Sequence, residues 1–393
     1  MLGVSALLSA SLFLPGTTLA ATPYDNAVLA DHPVGYWPIA PGATTDLTGH
    51  GLNGSFTGTP SSTIMPNGDT APVFNGINQY FTIPDHPYLE VTRTGVLTIE
   101  AWIRPDVLQF AHSEGSGYVH WMGKGEAGQH SWVARMYNYT NSENRPNRIS
   151  GYSFNLTGGL GAGSYFQDPV TVGEWIHYAL VINTVNTSSS YTTGYTKIYK
   201  NGVLRDQDRL SDYNIIPGDG TAPMRIGTRD LASFFQGAIG KVAVYDYEVT
   251  PTQLAAHGNV MNATRLTTPS TNVTASSDDG NVPANTLDGS LATRWSANGD
   301  GQWIQWDLGA SKTVDHVKVA WYNGDARTAS FDIKVSNDGT TWTSVYSGAS
   351  SGTTLGLEAY DLANPSARYV RIIGHGNSIN LWNSITETEI WGY

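Results

Sequence analysis

Residues 294–309 read RWSANGDGQWIQWDLG, with three tryptophans in a stretch that lacks cysteine and histidine. The rings could be exposed to stack on a flat ligand, or they could form the core of a small β-domain. In WIQWDLG the residues alternate between an Ile/Trp/Leu face and a face that carries Trp303, as in a strand with one buried face. Because large aromatic residues are mostly used for burial, we predict that Trp306 lies in a core and that all three tryptophans are structural. Trp303 is expected to pack against the other sheet or beneath the N-terminal loop.

The composition limits the class of protein. The chain has 393 residues, which is long for one core and favours two domains. Only 14% of the residues are charged, whereas glycine and tyrosine are abundant, as in β-sandwiches with many turns. We therefore predict an all-β chain. The net charge of −12 argues against nucleic acid as a partner, because no basic stripe is present, and it leaves neutral partners such as sugars open.

The N-terminal segment, residues 1–20, is apolar and ends in small residues. This pattern is typical of a secretory signal peptide and is too short for a membrane span, so we expect a secreted, extracellular protein. No cysteine is present, so stability must come from large cores, with bound calcium as a further candidate contribution. Sequons predict surface glycan sites, if the source is eukaryotic, at Asn53, Asn138, Asn155, Asn186, Asn262 and Asn272.

Short alternating strands separated by turn residues fill the rest of the chain. In IHYALVIN, residues 176–183, both faces are largely apolar, which indicates an inner strand of a two-sheet sandwich. In KIYKNGVL, residues 197–204, Asn-Gly between two apolar runs predicts a hairpin.

One short helix is expected over residues 250–258, with Pro251 in its first turn and Gly258 as its C-cap. The composition changes near Thr264, where a second strand-rich unit begins. We predict a first domain over residues 21–263 and a second over residues 264–393.

The first domain resembles the laminin-G-like branch of the concanavalin-type jelly rolls over most of residues 24–258. The resemblance is carried, in order, by AVLADHPVGYWPIA, LTIEAWIRP, GEWIHYALVIN and the closing FFQGAIGKVAVYDYEVTPTQL. It implies a jelly-roll β-sandwich. It says little about function, because the family holds lectins, adhesion modules and accessory domains, and its wider relatives include glycoside hydrolases and polysaccharide lyases.

An enzymatic first domain needs suitably placed acids, bases or cations. The Glu-x-Asp-x-Glu strand of related hydrolases is missing, and its nearest approach, Asp206-Gln-Asp208, is interpreted as a solvated loop. Residues 118–140 and the segment that follows are rich in charge, and a lyase there would need a cation for a uronate carboxylate and a His or Tyr base. The candidate catalytic residues are His120, Arg135, Arg148 and Tyr152. The simpler interpretation, which we favour, is a polar rim of loops and edge strands.

Residues 265–393 resemble the coagulation-factor type C, or discoidin-like, domains, and most closely the carbohydrate-binding modules of that fold. The segments that show this resemblance are NVPANTLDGSLATRWSANGDGQWIQWDLG, VDHVKVAWYNGDARTASFDIKVSNDGTTW and ARYVRIIGHGNSINLWNSITETEIWG. The resemblance implies an eight-stranded jelly roll, a core position for Trp295, and a ligand site in the loops at one end. Together the two resemblances predict two jelly-roll β-sandwich domains in tandem.

Two loop-rich segments, AWYNGDAR and GHGNSINLWNS, interrupt strands and would lie near each other at that end. Sugar recognition needs an aromatic face for a pyranose and planar donors for its hydroxyls, and an arginine can also hold a uronate carboxylate. The candidate ligand-binding residues are Tyr322, Asp325, Arg327, His375, Asn377, Trp382 and Asn383. The alternative is that Trp321 and Trp382 brace the loops and that Arg327 pairs with Asp325.

The same resemblance implies a structural calcium ion beside the Asp-Gly turn, bound by oxygen ligands that suit a hard cation. The matching residues are Asp288, Thr293 and Glu389, with the carbonyls of Asn285 and Ser290 as further candidates, and with Glu387 in place of Glu389 if the strand register differs by two. The alternative is a plain Asx-turn at Asp288 capped by Thr293.

We therefore predict a secreted protein that binds extracellular or cell-wall polysaccharide without covalent chemistry. The first alternative is a polysaccharide-degrading enzyme, a lyase or a glycoside hydrolase, with a catalytic first domain and an appended binding module. A third possibility is an adhesion protein that recognises another protein.

Overall fold

The computed structural model describes residues 21–393, so the expected signal peptide lies outside the described residues. Within this range no helix is long and apolar enough to cross a membrane. The chain is built almost entirely of β-strands, which form two sandwich domains, and this confirms the predicted fold class.

The first domain contains two helices and fifteen strands. They are α1 Pro23–Ala30, β1 Gly35–Trp37, β2 Ser55–Thr57, β3 Ser61–Ile64, β4 Thr70–Asn75, β5 Tyr80–Ile83, β6 Val96–Pro105, β7 Tyr118–Glu126, β8 Gln129–Tyr137, β9 Ile149–Ser153, β10 Ala162–Tyr165, β11 Ile176–Asn183, β12 Tyr195–Lys200, β13 Val203–Arg209, β14 Met224–Ile226, β15 Gln236–Tyr245 and α2 Pro251–Met261.

Two antiparallel sheets form the first sandwich. One has the order β13-β12-β11-β6-β15-β4-β3, with β1 paired to β15, and the other has the order β10-β9-β8-β7-β14-β5-β2. A core that includes Trp37, Trp121 and Trp132 fills the space between them. Ile176, Tyr178, Leu180 and Ile182 of β11 face this core, as the alternation in the sequence predicts.

A second apolar layer covers the opposite face of the eight-stranded sheet. α1 and α2 pack together there and contribute Tyr24, Val28 and Leu254, while β11 contributes Val181 from below. This layer explains why both faces of β11 are apolar. The sequence analysis did not identify α1.

The C-terminal end of α2 differs from the prediction. The helix begins as expected, with Thr250 and Gln253 forming a capping box. It continues past Gly258 to Met261 and has Asn262 as its C-cap, so the assignment of Gly258 as the C-cap is wrong. Burial of Val260 and Met261 against the sheet stabilises the last turn of the helix.

A buried charged cluster anchors α2 to the sheet. The Glu100 carboxylate is fully buried, 2.6 Å from Nε2 of His177 and 2.9 Å from Nδ1 of His257, and it accepts hydrogen bonds from the hydroxyls of Tyr24 and Tyr245. Burial alone would raise the pKa of Glu100, but the two histidines outweigh it and hold that pKa well below its usual value. Burial would lower the pKa of His257, whereas Glu100 and Asp31 raise it to about 10.

The predicted hairpin is confirmed. Asn201 and Gly202 both have positive φ, 53° and 74°, and join β12 to β13 in a two-residue turn. Asp206 and Asp208 lie within β13, so their assignment to a solvated loop is wrong. The pairing of β12 with β13 extends to Arg209, with a bulge after Ile198, so both acids lie in the strand. This strand borders a cleft described below.

One predicted glycan site is excluded by burial. Asn138 is only 1% exposed, and its Oδ1 accepts a hydrogen bond from the backbone N–H of Phe110. A glycan on this side chain would have no room in the folded domain. The side chains of the other sequons are exposed or half-buried.

The second domain consists of nine strands. They are β16 Thr264–Arg265, β17 Val273–Ala275, β18 Trp295–Asn298, β19 Gln302–Trp321, β20 Ala329–Ser336, β21 Thr343–Ala349, β22 Glu358–Asp361, β23 Ser366–Asn377 and β24 Trp382–Gly392. β16 already pairs with β24, the last strand of the chain.

The long strand β19 passes from one sheet of this sandwich to the other. Its first part pairs with β17 and β23, and its last part pairs with β22 and β24, with a shift in register after Asp307. The sandwich therefore has one sheet around β19, β23 and β20 and another around β19 and β24. Trp295, Trp306 and Trp321 are buried in the core between them.

Two of the three tryptophans in residues 294–309 lie in the core. Trp306 is fully buried and Trp295 is 1% exposed, which confirms their predicted positions. Trp303 lies half-buried on the outer face, and its expected packing on the other sheet is wrong. The guanidinium of Arg371, on the neighbouring strand β23, covers it at 4.2 Å from the ring centre, and the same group lies 3.8 Å from the ring centre of Trp342.

Candidate functional site

Two loops meet at one end of the second sandwich. The first follows β19 at residues 322–328, and the second joins β23 to β24 at residues 378–381. The N–H of Ser378 donates to the carbonyl of Thr328 at 2.9 Å, and the N–H of Thr328 donates to Oγ of Ser378 at 3.3 Å. The prediction that these loops are neighbours is confirmed.

An arginine–tyrosine stack occupies this end. The exposed ring of Tyr322 lies 4.3 Å from the guanidinium carbon of Arg294 and 5.3 Å from that of Arg327. Nε of Arg327 donates to the carbonyl of Tyr322, and Nε of Arg294 donates to Oγ of Ser296, both at 3.1 Å. These bonds fix both guanidinium groups beside the ring.

Neither arginine of the stack has an ion-pair partner among residues 21–393. In particular, Arg327 makes no ion pair with the exposed Asp325, so the alternative in which these two residues neutralise each other is wrong. Partial burial, together with repulsion from Arg294, lowers the pKa of Arg327. The stack thus offers one aromatic face and two uncompensated cationic groups.

Arg294 was missed by the sequence analysis, although it is the first residue of the tryptophan stretch quoted above. A local signal existed, because it is a lone cation beside the core residue Trp295 at the start of β18. What the sequence does not reveal is that β18 pairs with β24, which carries Arg294 to the same end of the sandwich as Tyr322.

His375 lies in a separate group on the outer face. It is 36% exposed in its side chain, with Nδ1 at 2.6 Å from Oδ1 of Asp300 and Nε2 at 3.4 Å from Oδ2 of Asp332. The hydrogen bond to Asp300 is the main cause that raises the pKa of His375, and Asp332 adds to it. Burial would lower that pKa but has a smaller effect. Within the described part of the chain, no hydrogen bond or ion pair joins this group to the arginine–tyrosine stack.

The remaining candidates of the second loop brace its backbone. Asn383 is 4% exposed, accepts from the N–H of Gly376 at 2.7 Å and donates to the carbonyl of Gly299 at 2.8 Å. Nδ2 of Asn377 donates to the carbonyl of the half-buried Trp382 at 2.7 Å. These bonds use the amide groups that a ligand would otherwise meet, and they favour a positioning role for both asparagines.

Trp321 lies in the core of the second domain and is not a ligand-facing residue. It is 3% exposed, and its Nε1 donates to the hydroxyl of Tyr360 at 2.9 Å. Its ring packs against Phe331 at 4.7 Å between ring centres.

The Asp-Gly turn collects oxygen atoms suited to a cation. Oγ1 of Thr293 donates to Oδ2 of Asp288 at 2.6 Å, and the N–H of Ser290 donates to Oδ1 of Asp288 at 2.8 Å, so the Asx-turn of the alternative interpretation is present. The N–H of Gly289 donates to Oε2 of Glu387 at 2.9 Å, which places that carboxylate against the turn.

The glutamate beside the turn is therefore Glu387 and not Glu389. Oε1 of Glu389 lies 3.3 Å from Nη1 of Arg265, and its Oε2 accepts from Nε1 of Trp391. Burial is the main cause that raises the pKa of Glu387, and repulsion from Asp288 and Glu389 adds to it, whereas the N–H of Gly289 and the guanidinium of Arg265, 3.5 Å from Oε1 of Glu387, act against it. The exposed Asp288 and the buried Glu387, with the hydroxyl and carbonyl oxygens of the turn, are ligand types that suit a calcium ion.

The first domain holds a cleft of about 590 Å³. Segments from β7, β8, β9, β10 and β13 border it, and residues from the predicted catalytic segment converge there. The charged and tyrosine residues that line it are Tyr118, Arg135, Tyr137, Glu143, Arg145, Tyr152, Tyr165, Asp206, Asp208, Arg209, Asp212 and Tyr213. Of the candidate catalytic residues, Arg135 and Tyr152 line the cleft, whereas His120 and Arg148 do not. Arg145, which was not predicted, lines it.

The two candidate bases are poorly placed for catalysis. His120 is 1% exposed, with Nδ1 at 2.7 Å from Glu114 and Nε2 at 3.3 Å from Nη2 of Arg135. Burial lowers the pKa of His120 to about 4, and nearby arginines contribute. Burial also raises the pKa of Tyr152 far above its usual value. Neither residue offers an accessible base at neutral pH, so the geometry does not favour the lyase hypothesis.

Comparison with known proteins agrees with the domain order. Residues 75–255 match the concanavalin A-like lectin/glucanases superfamily, and residues 272–388 match the F5/8 type C domain. No curated protein matches the chain.

Solved structures of carbohydrate-binding modules resemble the second domain. The CBM32 of AlyQ in complex with 4,5-unsaturated mannuronic acid is 56% identical, over 32% of this chain and 97% of that one, with a TM-score of 0.32. A pectin-binding module is 30% identical, over 32% of this chain and 91% of that one, with a TM-score of 0.30. Chitosan-binding module 1 from the chitosanase/glucanase of Paenibacillus sp. IK-5 is 37% identical, over 30% of this chain and 93% of that one, with a TM-score of 0.27.

Proposed function

Because its second domain belongs to the F5/8 type C family, we propose that this chain is a carbohydrate-binding protein that recognises polysaccharide through the arginine–tyrosine stack of Arg294, Tyr322 and Arg327. The ligand class that fits the stack is a polysaccharide with uronate residues. A module 56% identical to this domain is in complex with an unsaturated mannuronic acid, which supports that choice.

The observation that carries the proposal is the pair of guanidinium groups, neither of them in an ion pair, beside an exposed ring. A guanidinium binds a carboxylate through two parallel hydrogen bonds, and an aromatic ring packs on the apolar face of a pyranose. A uronate residue presents both features at once. Within residues 21–393 no carboxylate forms an ion pair with either arginine, and Asp279 acts on Arg294 only at longer range.

His375 and Asp325 are proposed to contact sugar hydroxyls at the margins of the site. His375 remains reachable by ligand while Asp300 and Asp332 hold it in place. Asp325 is exposed on the loop that carries Arg327. Asn377, Trp382 and Asn383 act indirectly, by setting the shape of the second loop.

A calcium ion is proposed to bind at the Asp-Gly turn, held by Asp288, Thr293 and Glu387. Its role would be structural. Nδ2 of Asn285 in the same turn donates to the carbonyl of Arg294 at 2.8 Å, so ordering the turn would also order the arginine of the stack. The candidate position of Glu389 receives no support from its contacts with Arg265 and Trp391.

Secretion is part of the proposal and rests on the pattern of residues 1–20. An extracellular or cell-wall polysaccharide would then be the natural ligand. Glycan attachment at the exposed sequons also remains a proposal, with Asn138 excluded by its burial.

The proposal is tested by titrating the protein with an oligomannuronate and with a neutral oligosaccharide of equal length, using isothermal calorimetry. Arg294→Gln and Arg327→Gln are each expected to weaken oligomannuronate binding at least about 10-fold, because a charge-assisted hydrogen bond is worth about 1.5–3 kcal/mol. Arg368→Gln is the matched control, since Arg368 is exposed and paired with Asp307 in the same domain. Unchanged affinity in both stack variants would refute the site.

A further inference from the structure

We propose that the cleft of the first domain is a second binding site for a uronate-bearing sugar, which places its carboxylate against Arg135 and Arg145 and its hydroxyls against Asp206 and Asp208. The choice of a uronate rests on the proposed function, in which the second domain binds a polysaccharide that contains uronate residues. The cleft itself is independent of the second domain. Its volume of about 590 Å³ falls in the usual range for small-ligand sites.

Arg135 is a cation that lacks a counter-charge. Its guanidinium lies 3.7 Å from the ring centre of Tyr118 and 4.7 Å from that of Tyr152, and its Nε makes no hydrogen bond. The nearest titratable partner, His120, is neutral at pH 7 because burial lowers its pKa to about 4. Among residues 21–393 no carboxylate forms an ion pair with Arg135.

This lack of a partner points to an anionic ligand. A charge that is largely removed from water is normally paired, because desolvation without a partner costs several kcal/mol. The rings of Tyr118 and Tyr152 and the hydroxyl of Tyr137 stabilise the Arg135 cation, but none of them supplies a negative charge. A carboxylate that enters from the cleft would supply the missing charge.

Arg145 is the second arginine proposed to bind the carboxylate, and contacts with three tyrosines fix its position. Its Nη1 donates to the hydroxyls of Tyr137 and Tyr152, both at 3.0 Å, and its guanidinium lies 4.5 Å from the ring centre of Tyr165. Glu143 lies 3.1 Å from the same nitrogen. The other nitrogens of this half-exposed side chain make no hydrogen bond within the described residues and remain available to a ligand.

Two acids of the cleft lie together on β13, which carries neither Arg135 nor Arg145. Asp206 and Asp208 stand two residues apart on β13, so both side chains project from one face of the strand. Oδ2 of Asp208 accepts from Oγ of Ser164 at 2.8 Å, and burial raises the pKa of Asp208. Carboxylates on this side suit the hydroxyls of a sugar ring and would repel a second anionic group.

The cleft carries charges of both signs, because Arg209 and Asp212 also line it and Glu143 lies beside Arg145. A neutral sugar would satisfy the acids of β13 and leave Arg135 without a counter-charge. A small inorganic anion would meet the arginines and leave the acids without a donor. A pyranose with one carboxylate and several hydroxyls offers partners to both, and Gly159 leaves room at the rim, since a Cβ there would meet no atom within 4 Å.

The test uses the full chain carrying Arg294→Gln and Arg327→Gln together, which removes the proposed second-domain contacts. Titration with oligomannuronate is expected to show one remaining site per chain. Adding Arg145→Gln or Asp208→Asn should weaken that site at least about 10-fold. Adding Arg93→Gln should not change it, because Arg93 lies outside the cleft and pairs with Asp246. Melting curves of every variant establish that each one folds.

The outcomes separate the two proposals. If the double-arginine protein binds no oligomannuronate while the unchanged protein does, the cleft proposal is overturned and the proposed function stands. If the remaining site binds a neutral oligosaccharide equally well, or is insensitive to both Arg145→Gln and Asp208→Asn, the cleft does not recognise uronate. If one site remains but the stack variants never alter the total binding, the cleft proposal holds and the second-domain site is refuted.

Discussion

The guanidinium of Arg294 lies 4.3 Å from the centre of the Tyr322 ring, although the two residues belong to different strand ends of the second sandwich. The residue that follows Arg294 is Trp295, which is buried in the core. The same stretch of chain therefore contributes one side chain to the core and the preceding side chain to the proposed binding surface.

The ring of Tyr322 should matter more than its hydroxyl. Tyr322→Ala is expected to weaken oligomannuronate binding about 10-fold, because it removes both the stacking face and the surface on which two arginines rest. Tyr322→Phe should stay within about two-fold, since the ring is kept. Calorimetry on both variants provides the comparison, with the exposed Tyr139→Ala in the first domain as control. Equal losses for Ala and Phe would show that the hydroxyl carries the contact instead.

Calcium should stabilise the second domain through Glu387. At a calcium concentration about 100 times the Kd, the ion would add about 2.7 kcal/mol to the free energy of unfolding, and chelation should lower the melting temperature accordingly. Asp288→Ala and Glu387→Gln should each abolish this sensitivity to chelator. Glu389→Gln is the matched control and should retain it, because within residues 21–393 only Glu387 of the two glutamates accepts a hydrogen bond from the Asp-Gly turn. Identical melting with and without chelator would remove the calcium proposal.

The buried carboxylate of Glu100 should be essential to the stability of the first domain. Glu100→Gln leaves His177 and His257 facing a neutral amide in a fully buried position, and the expected loss is about 3–5 kcal/mol. Urea denaturation measures it. Glu174→Gln, at a side chain 40% exposed, should change stability by less than about 0.5 kcal/mol. A small effect at Glu100 would mean that the cluster is not charged in the folded protein.

The same cluster gives the stability of the first domain a defined pH dependence. The pKa of His257 is raised to about 10, so its contribution is fully present below its unfolded pKa of about 6.5 and is lost as the pH rises through about 10. The pKa of Glu100 is lowered, so its contribution is present above its unfolded value and is lost as the pH falls toward its folded value. Denaturation midpoints measured across alkaline pH should fall for the unchanged protein and stay flatter for His257→Gln.

The tryptophans of the opening stretch should differ sharply in their contribution to stability. Trp306→Ala is expected to cost about 3–5 kcal/mol, because it opens a cavity between the sheets. Trp303→Ala should cost less, since it removes a half-buried ring from the outer face and leaves the core closed. Chemical denaturation of the second-domain transition compares the two. Similar costs would contradict the assignment of Trp303 to the outer face.

Much of the fold follows from local patterns in the sequence. The alternation in residues 176–183 placed two apolar faces on β11, and the Asn-Gly pair placed a hairpin between β12 and β13, because side-chain alternation and turn geometry act over a few residues. The alternation around Trp306 likewise predicted its burial. What covers the second face of β11 was not predictable in this way, because α1 has a short and weakly patterned sequence.

The proposed sites depend on contacts between residues far apart in the chain, which local patterns do not reveal. From the residues alone, two aromatic-rich sandwiches and the loop with Tyr322 and Arg327 could be predicted. The pairing of β18 with β24 added Arg294, the register of β24 favoured Glu387 over Glu389, and the position of β13 brought two acids to a cleft lined by Arg135 and Arg145. Strand register and sheet order are set by packing of the whole core, and a shift of two residues along one strand moves a ligand out of a site without changing any local pattern.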